Sequence, residues 1–191
     1  MVPLQRWWVM NRLSGSSVRR TSKRSILLRP LLYASFSLTV SAFAQPQTPS
    51  QVVTWMASLD SSTPLKRGAK ITAQLQATIR NGWHVYSISQ LPGGPSPTII
   101  SVPDGQPLSE VGTILGPLPR EAYDSNFDMK TEFYERSATF KVPLEVAPAA
   151  KPGAGRIVIH VRFQTCNDNL CLPPSKIEVP LTFRIAGSHP Q

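Results

Sequence analysis

The stretch Ile71-Thr72-Ala73-Gln74-Leu75-Gln76-Ala77-Thr78-Ile79 alternates apolar and polar side chains without a break. Successive side chains of a β-strand point to opposite faces, so this period of two predicts a strand with one buried face and one face in water. Asn81-Gly82 follows and is typical of a tight turn, and residues 83–88 predict a second strand. This part of the chain therefore predicts antiparallel β structure.

Further short segments repeat the pattern on both sides of this stretch. They are Val53–Leu59, Thr98–Val102, Thr139–Val146, Arg156–Phe163 and Ile177–Ile185. Pro143 has no backbone N–H to donate, which favours an edge or bulge position for its strand. Nineteen prolines and eleven glycines disfavour long helices. Several short strands at regular spacing predict an all-β fold, an antiparallel β-sandwich.

Residues 121–136 depart from the pattern. They are polar, carry four aromatic side chains and lack a clear period. We interpret them as a long loop, with at most one helical turn, that enters a strand near Glu132. Long ordered loops in compact domains are often functional.

The first 44 residues predict a secretory signal peptide. A basic cluster at residues 19–24 precedes an apolar run at residues 26–40, and Ala42-Phe43-Ala44 has the small-x-small pattern of a cleavage site. The uninterrupted apolar part, residues 31–44, is short for a membrane span. An uncleaved anchor is the less favoured alternative.

After the leader, residues 45–63 are interpreted as a flexible lead-in and first strand, 64–186 as one domain and 187–191 as a tail. The whole chain has 20 basic and 11 acidic residues, but seven basic and no acidic ones lie before Gln45. The remaining net charge of +2 gives no support for nucleic-acid binding. We expect an exported domain with no stable membrane span after the leader is removed.

The only two cysteines, Cys166 and Cys171, are separated by Asn167-Asp168-Asn169-Leu170 and followed by Pro173-Pro174. Export would place them where disulfides persist. A bridge across so short a loop contributes roughly 2 kcal/mol, at the low end for disulfides. The spacing alone leaves two interpretations equally open, an inert brace of a turn or a redox-active pair that switches with local movement.

A metal site is a weaker interpretation of the same residues. Zinc is usually held by three or four Cys, His or carboxylate ligands. His160 precedes the cysteines, but no second histidine is near them in sequence, and His84 is interpreted as a partly buried strand residue. We predict neither a metal nor a cofactor.

Five segments resemble one known family in their residues and in their order along the chain. They are Gly82-Trp83-His84-Val85-Tyr86, Glu132-Phe133-Tyr134, Phe163-Gln164-Thr165-Cys166, Cys171-Leu172-Pro173-Pro174 and Val179-Pro180-Leu181. The family is the amino-terminal periplasmic domain of DsbD, a transmembrane thiol–disulfide interchange reductase. The resemblance extends from about Pro64 to Phe183, and the two cysteine segments are its most specific part.

The resemblance implies an immunoglobulin-like β-sandwich in the periplasm, with a reversible disulfide between Cys166 and Cys171. It implies that Cys171 forms mixed disulfides with partners and that Cys166 resolves them. Phe127 would belong to a cap loop that shields the pair, and Tyr86 and His84 would correspond to aromatic residues beside it. The implied partners are a membrane thiol–disulfide reductase and thioredoxin-like periplasmic proteins.

The sequence also departs from the family pattern. Asp128 stands where an aromatic residue normally follows the cap phenylalanine, and the loop between the cysteines is shorter than in the best-known members. The family's full-length protein continues into membrane helices and a thioredoxin-like domain, which do not follow in this sequence. We expect both to be separate proteins. A β-sandwich that binds partners without redox chemistry is the alternative function.

Overall fold

The computed structural model describes residues 47–60 and 63–187. The predicted signal peptide lies outside the described residues, as does the predicted tail apart from Gly187. Within the described residues, no helix is long and apolar enough to cross a bilayer.

These residues form a single-turn helix and eleven strands. They are α1 (Pro49–Val52), β1 (Val53–Leu59), β2 (Lys70–Ile79), β3 (His84–Tyr86), β4 (Ile99–Ser101), β5 (Leu108–Glu110), β6 (Arg120–Asp124), β7 (Met129–Glu135), β8 (Ser137–Val146), β9 (Gly153–Phe163), β10 (Thr165–Cys166) and β11 (Ser175–Ile185).

The strands form three antiparallel sheets. One has the order β1-β2-β8-β5, the second β11-β9-β4 and the third β10-β3-β7-β6. The first two meet across the core, where Trp55 of β1 packs against Phe163 of β9 with ring centroids 5.4 Å apart. Tyr134 of β7 lies edge-on to Phe140 of β8, which joins the third sheet to the same core. The predicted all-β, immunoglobulin-like antiparallel β-sandwich is confirmed.

The alternation in β2 gives one buried face and one face towards water, as predicted. Ala73, Leu75, Ala77 and Ile79 are all buried in the core, whereas the polar residues between them are partly or fully exposed. Because the period is two, this burial fixes the register of β2 against β1 and β8. The strongest sequence pattern therefore positions the centre of the first sheet.

The long loop predicted for residues 121–136 is wrong. Most of this segment is a hairpin in which β6 pairs with β7 around a short turn at residues 125–128. Strand β6 lies at the edge of its sheet and most of its side chains face water, so it lacks an apolar period. The hairpin places Phe127 at its tip.

Two smaller features also differ from expectation. The segment interpreted as a flexible lead-in contains α1, which begins at Pro49, a residue suited to the first helical position. Strand β8 lies between β2 and β5, so the edge position expected from Pro143 is wrong. The proline is tolerated because it lies just past the paired part of β5, where its carbonyl accepts the Val111 N–H at 3.0 Å.

Candidate functional site

Cys166 and Cys171 form a disulfide in the connection between β9 and β11, with their Cα atoms 4.1 Å apart. The predicted turn formers build this loop. The Asn167 side-chain oxygen accepts the backbone N–H groups of Asn169 and Leu170 at 2.9 and 2.8 Å. The side chain thus replaces a backbone acceptor and lets the chain reverse within four residues.

The two sulfur-bearing residues differ in exposure. Cys166 is 0 % exposed, because β10 inserts beside β3, whereas Cys171 is only partly buried. A protein partner can therefore approach Cys171 more readily than Cys166.

Strand β3 supplies the aromatic side of the site. Tyr86 is fully buried, and its hydroxyl oxygen lies 3.9 Å from Cys171 Sγ. His84 lies two residues earlier on the same face, with its ring centroid 5.0 Å from that of Tyr86. Cys166 pairs directly across from His84 in the β3–β10 ladder. The period of two thus brings both predicted strand residues to the cysteines.

The tip of the β6–β7 hairpin supplies Phe127. Its ring meets the Tyr86 ring edge-on, with centroids 5.8 Å apart. It packs in one apolar cluster with Tyr86, Phe133 and both cysteines. All five predicted site residues therefore lie together, while the roles assigned to them remain predictions.

Sequence reasoning missed Asp124, which connects these parts. The residue is 8 % exposed, and its carboxylate accepts the Tyr86 hydroxyl at 2.6 Å through Oδ2. Its other oxygen accepts the Asn126 backbone N–H at 2.9 Å and the Asn126 side-chain amide at 3.1 Å. An aspartate followed by Ser-Asn is typical of an exposed turn, so only its position three residues before Phe127 could have drawn attention to it.

Asn126 also links the hairpin to the cysteine loop. Its side-chain amide donates to the Asn167 backbone carbonyl at 3.2 Å. The turn that carries Phe127 is thereby tied to the loop that carries the disulfide. Movement of one is expected to disturb the other.

A family model for the N-terminal domain of the thiol:disulfide interchange protein DsbD matches residues 56–182. The chain belongs to this family. The match covers every strand described here in whole or in part. Together with the Cys166–Cys171 disulfide, membership of the DsbD N-terminal family supports a thiol–disulfide exchange module.

Solved structures with a similar chain path include the DsbD N-terminal domain of Neisseria meningitidis in its reduced form. It is 17 % identical, with a TM-score of 0.44, and the match covers 76 % of this chain and 95 % of that one. The N-terminal periplasmic domain of ScsB from Proteus mirabilis is 16 % identical, with a TM-score of 0.46, over 71 % of this chain and 49 % of that one. A comparison with curated proteins finds no significant match. Membership of the family rests on the match of the family model to residues 56–182.

Three titratable groups around the disulfide have shifted pKa values. Burial raises the pKa of the Tyr86 hydroxyl strongly, and its hydrogen bond to Asp124 adds to the shift. Burial also tends to raise the pKa of Asp124, but the hydrogen bonds from Tyr86 and Asn126 outweigh it and lower that pKa below 3.8. Burial lowers the pKa of His84 below 6.5, against the opposing charges of Asp124, Glu135 and Asp168. Near pH 7 the site thus holds a neutral phenol, a carboxylate and a neutral imidazole.

The described residues, 47–60 and 63–187, contain no group of three or more His, Cys, Asp or Glu side chains arranged to hold a metal ion. His160, considered above as a ligand, instead lies 3.5 Å from Glu178 across β9 and β11.

Replacing Asp124 with asparagine should destabilise the protein in a pH-dependent way. The native pKa of Asp124 is lowered, so its stabilising charge is fully present above the unfolded value of about 3.8 and is lost as the pH falls through the native value. At pH 7 we expect Asp124→Asn to lose roughly 1–3 kcal/mol, the cost of disrupting buried hydrogen bonds to a charged group. Urea denaturation should show this difference shrinking below about pH 4.

The exposed Asp104 offers a matched control for this measurement. Asp104→Asn should change the free energy of unfolding little at any pH. A deficit of Asp124→Asn that stays constant from pH 7 to pH 3 would contradict the assigned ionisation.

Proposed function

We propose that this domain is a periplasmic thiol–disulfide exchange module. It passes reducing equivalents from a membrane thiol–disulfide reductase to exported thioredoxin-like proteins through a reversible Cys166–Cys171 disulfide. The observation that carries the proposal is the placement of this disulfide against an aromatic cluster, with Cys171 partly exposed and Cys166 fully buried.

The loop geometry supports exchange over bracing. The disulfide closes a ring of four intervening residues, which contributes little to stability. Both ends of the ring are held without it, by the pairing of β10 with β3 and by Pro173-Pro174 before β11. Opening the bond therefore requires only local movement of the loop.

The difference in exposure supports separate roles for the two cysteines. In the reduced domain the Cys171 thiolate attacks a partner disulfide, and one partner sulfur leaves as a thiolate. Cys166 then attacks the Cys171 sulfur, the mixed disulfide breaks, and the second partner sulfur leaves. Two electrons pass to the partner, and the Cys166–Cys171 disulfide is restored.

Phe127 is proposed to shield this chemistry. Its ring packs on Tyr86 in the cluster that includes Cys171, and the hydrogen bonds of Asp124 and Asn126 fix the turn that carries it. Opening of the hairpin tip by a docking partner would expose Cys171. A thiol covered in this way reacts with its partner in preference to small oxidants.

The alternative is a β-sandwich that binds partners while the disulfide only braces a loop. The two functions differ in the reduction potential that they need. The reduction potential of a redox-active pair must be close to those of its thioredoxin-like partners, whereas structural disulfides have potentials below about −300 mV.

The Cys166–Cys171 pair should have a reduction potential above about −300 mV, because the disulfide closes only a short ring and Cys171 is partly exposed. Equilibration with glutathione or dithiothreitol buffers, followed by alkylation and mass spectrometry, measures the potential. A potential well below that limit would favour the brace.

Cys166→Ser should trap partners through Cys171, because the residue that resolves the mixed disulfide is gone. Mixed disulfides that are sensitive to reductant should be recovered from cells that express the variant. The matched variant Cys171→Ser should recover few or none, since its remaining thiol is buried. Equal yields from the two variants would contradict the assignment of roles.

Phe127→Ala should speed the alkylation of reduced Cys171 by a bulky maleimide, because the ring that covers the site is removed. Leu118→Ala serves as the control, since Leu118 is 95 % exposed and lies outside the aromatic cluster. An alkylation rate unchanged from that of the native protein would remove Phe127 from the shielding role.

A further inference from the structure

His84 occupies a position that thiol exchange alone does not explain. It lies between two cross-strand neighbours, Cys166 on β10 and Glu135 on β7. Residues directly opposite each other in an antiparallel pair have Cβ atoms about 5 Å apart, so the imidazole and the Cys166 thiol are neighbours on one face. The ring also packs against Phe133, with centroids 4.8 Å apart.

The imidazole carries an unsatisfied nitrogen. Nε2 of His84 is buried and has no hydrogen-bond partner within the part of the chain that the structure describes. Asp124 Oδ2 lies 3.9 Å from this nitrogen, which is beyond hydrogen-bond distance. Buried polar atoms are nearly always hydrogen-bonded, so this exception needs an explanation, and a catalytic role is one of those that the physics allows.

The exchange cycle contains a step that needs such a group. Cys166 must lose its proton before its sulfur can attack, because the thiolate is the nucleophile. The residue is 0 % exposed, so bulk water has no access to its thiol. Burial in apolar surroundings also disfavours the thiolate. A proton acceptor inside the protein would remove this obstacle.

We propose that His84 accepts the proton of Cys166 when Cys166 resolves the mixed disulfide on Cys171, an inference that rests on the proposed function. The proton moves from Cys166 Sγ to the imidazole as the sulfur attacks Cys171 Sγ. The bond between Cys171 and the partner breaks, and the partner leaves as a thiolate. In the reverse direction, the imidazolium returns the proton to Cys166 as the disulfide is reduced.

The surroundings of His84 suit this task. The ring is neutral near pH 7, because burial lowers its pKa, and a neutral imidazole is able to accept a proton. Three acidic groups act on it from neighbouring parts of the chain: Asp124 from β6, Glu135 from β7 and Asp168 from the cysteine loop. Strand β10 contributes Cys166 and no acidic group. The negative charges of the three acidic groups stabilise the imidazolium once it forms.

A route for the proton to leave is also present. A cavity of about 140 Å³ reaches His84 and is lined by polar groups that include Asp124, Asn126, Glu135 and Asp168. This volume is enough for a few water molecules. Glu135 is itself paired with Arg120 at the surface. The imidazolium is thus able to release its proton to solvent between turnovers.

The test separates the two sulfur steps with an aromatic disulfide, dithionitrobenzoate (Ellman's reagent). When Cys171 of the reduced protein attacks the reagent, one thionitrobenzoate is released at a rate proportional to reagent concentration. Attack by Cys166 on the resulting mixed disulfide releases a second at a rate independent of that concentration. Stopped-flow absorbance resolves both phases.

His84→Gln should slow the second phase by about 100-fold at pH 7, within the range for loss of a general base, and change the first phase little. The native second phase should reach a plateau above the pKa of His84 and fall below it. In the variant it should rise about tenfold per pH unit, because hydroxide becomes the proton acceptor. A merely structural role for His84 would not change the shape of this profile.

Two further variants serve as a second test and as a control. His84→Phe keeps an aromatic ring against Tyr86 and Phe133 and should show the same loss if His84→Gln fails to fold. His160→Gln, at a histidine–carboxylate pair on another sheet, should behave like the native protein.

Equal second-phase rates and pH profiles for native protein and a folded His84 variant would overturn the proposal while leaving the exchange function intact. A native second phase proportional to hydroxide from pH 5 to 8 would overturn it without any variant. If the native protein releases only one thionitrobenzoate, the cysteines do not form their disulfide by exchange. The proposed function then fails, and this inference fails with it.

Discussion

The site depends on the pairing of two very short strands, β3 and β10. Their register sets Cys166 opposite His84, and the period of two then places Tyr86 on the same face as His84. The Thr165 hydroxyl donates to the His84 carbonyl at 2.7 Å and reinforces the pairing. A shift of one residue would turn the cysteine away from the aromatic cluster. The other two sheets hold these strands in place, because β3 pairs with β7, which leads into β8, and β10 directly follows β9.

A carboxylate completes what this pairing begins. Asp124 joins the hydroxyl of Tyr86, on β3, to the turn that carries Phe127, and Asn126 extends the connection to the cysteine loop. The hydrogen bonds satisfy a buried charge that would otherwise destabilise the fold. The same residue lies near the imidazole of His84, so the group that orders the hairpin also influences the electrostatics beside Cys166.

The parts of the fold that the sequence predicted are the strands in which every second residue is apolar and buried. The alternation in β2, β9 and β11 was sufficient for a β-sandwich, because one apolar face must be covered. The hairpin of β6 and β7 was missed, since an edge strand with exposed side chains leaves no such pattern. Both cysteines were found from their spacing alone, whereas their separate roles and the aromatic site residues came from the family resemblance. Asp124 was not, because its partner Tyr86 lies 38 residues away, and only the folded chain shows that its carboxylate is buried.

The burial of Cys166 also bears on chemical damage. Oxidation beyond the thiol follows exposure and thiolate character, and the sulfinic and sulfonic acids are rarely or never reversed. Cys166 is enclosed, so peroxide reaches Cys171 first. A sulfenic acid on Cys171 would then meet the neighbouring Cys166 thiol and condense to the disulfide with loss of water. The asymmetry between the two cysteines would thus let a sulfenic acid on Cys171 return to the disulfide before further oxidation makes the damage permanent.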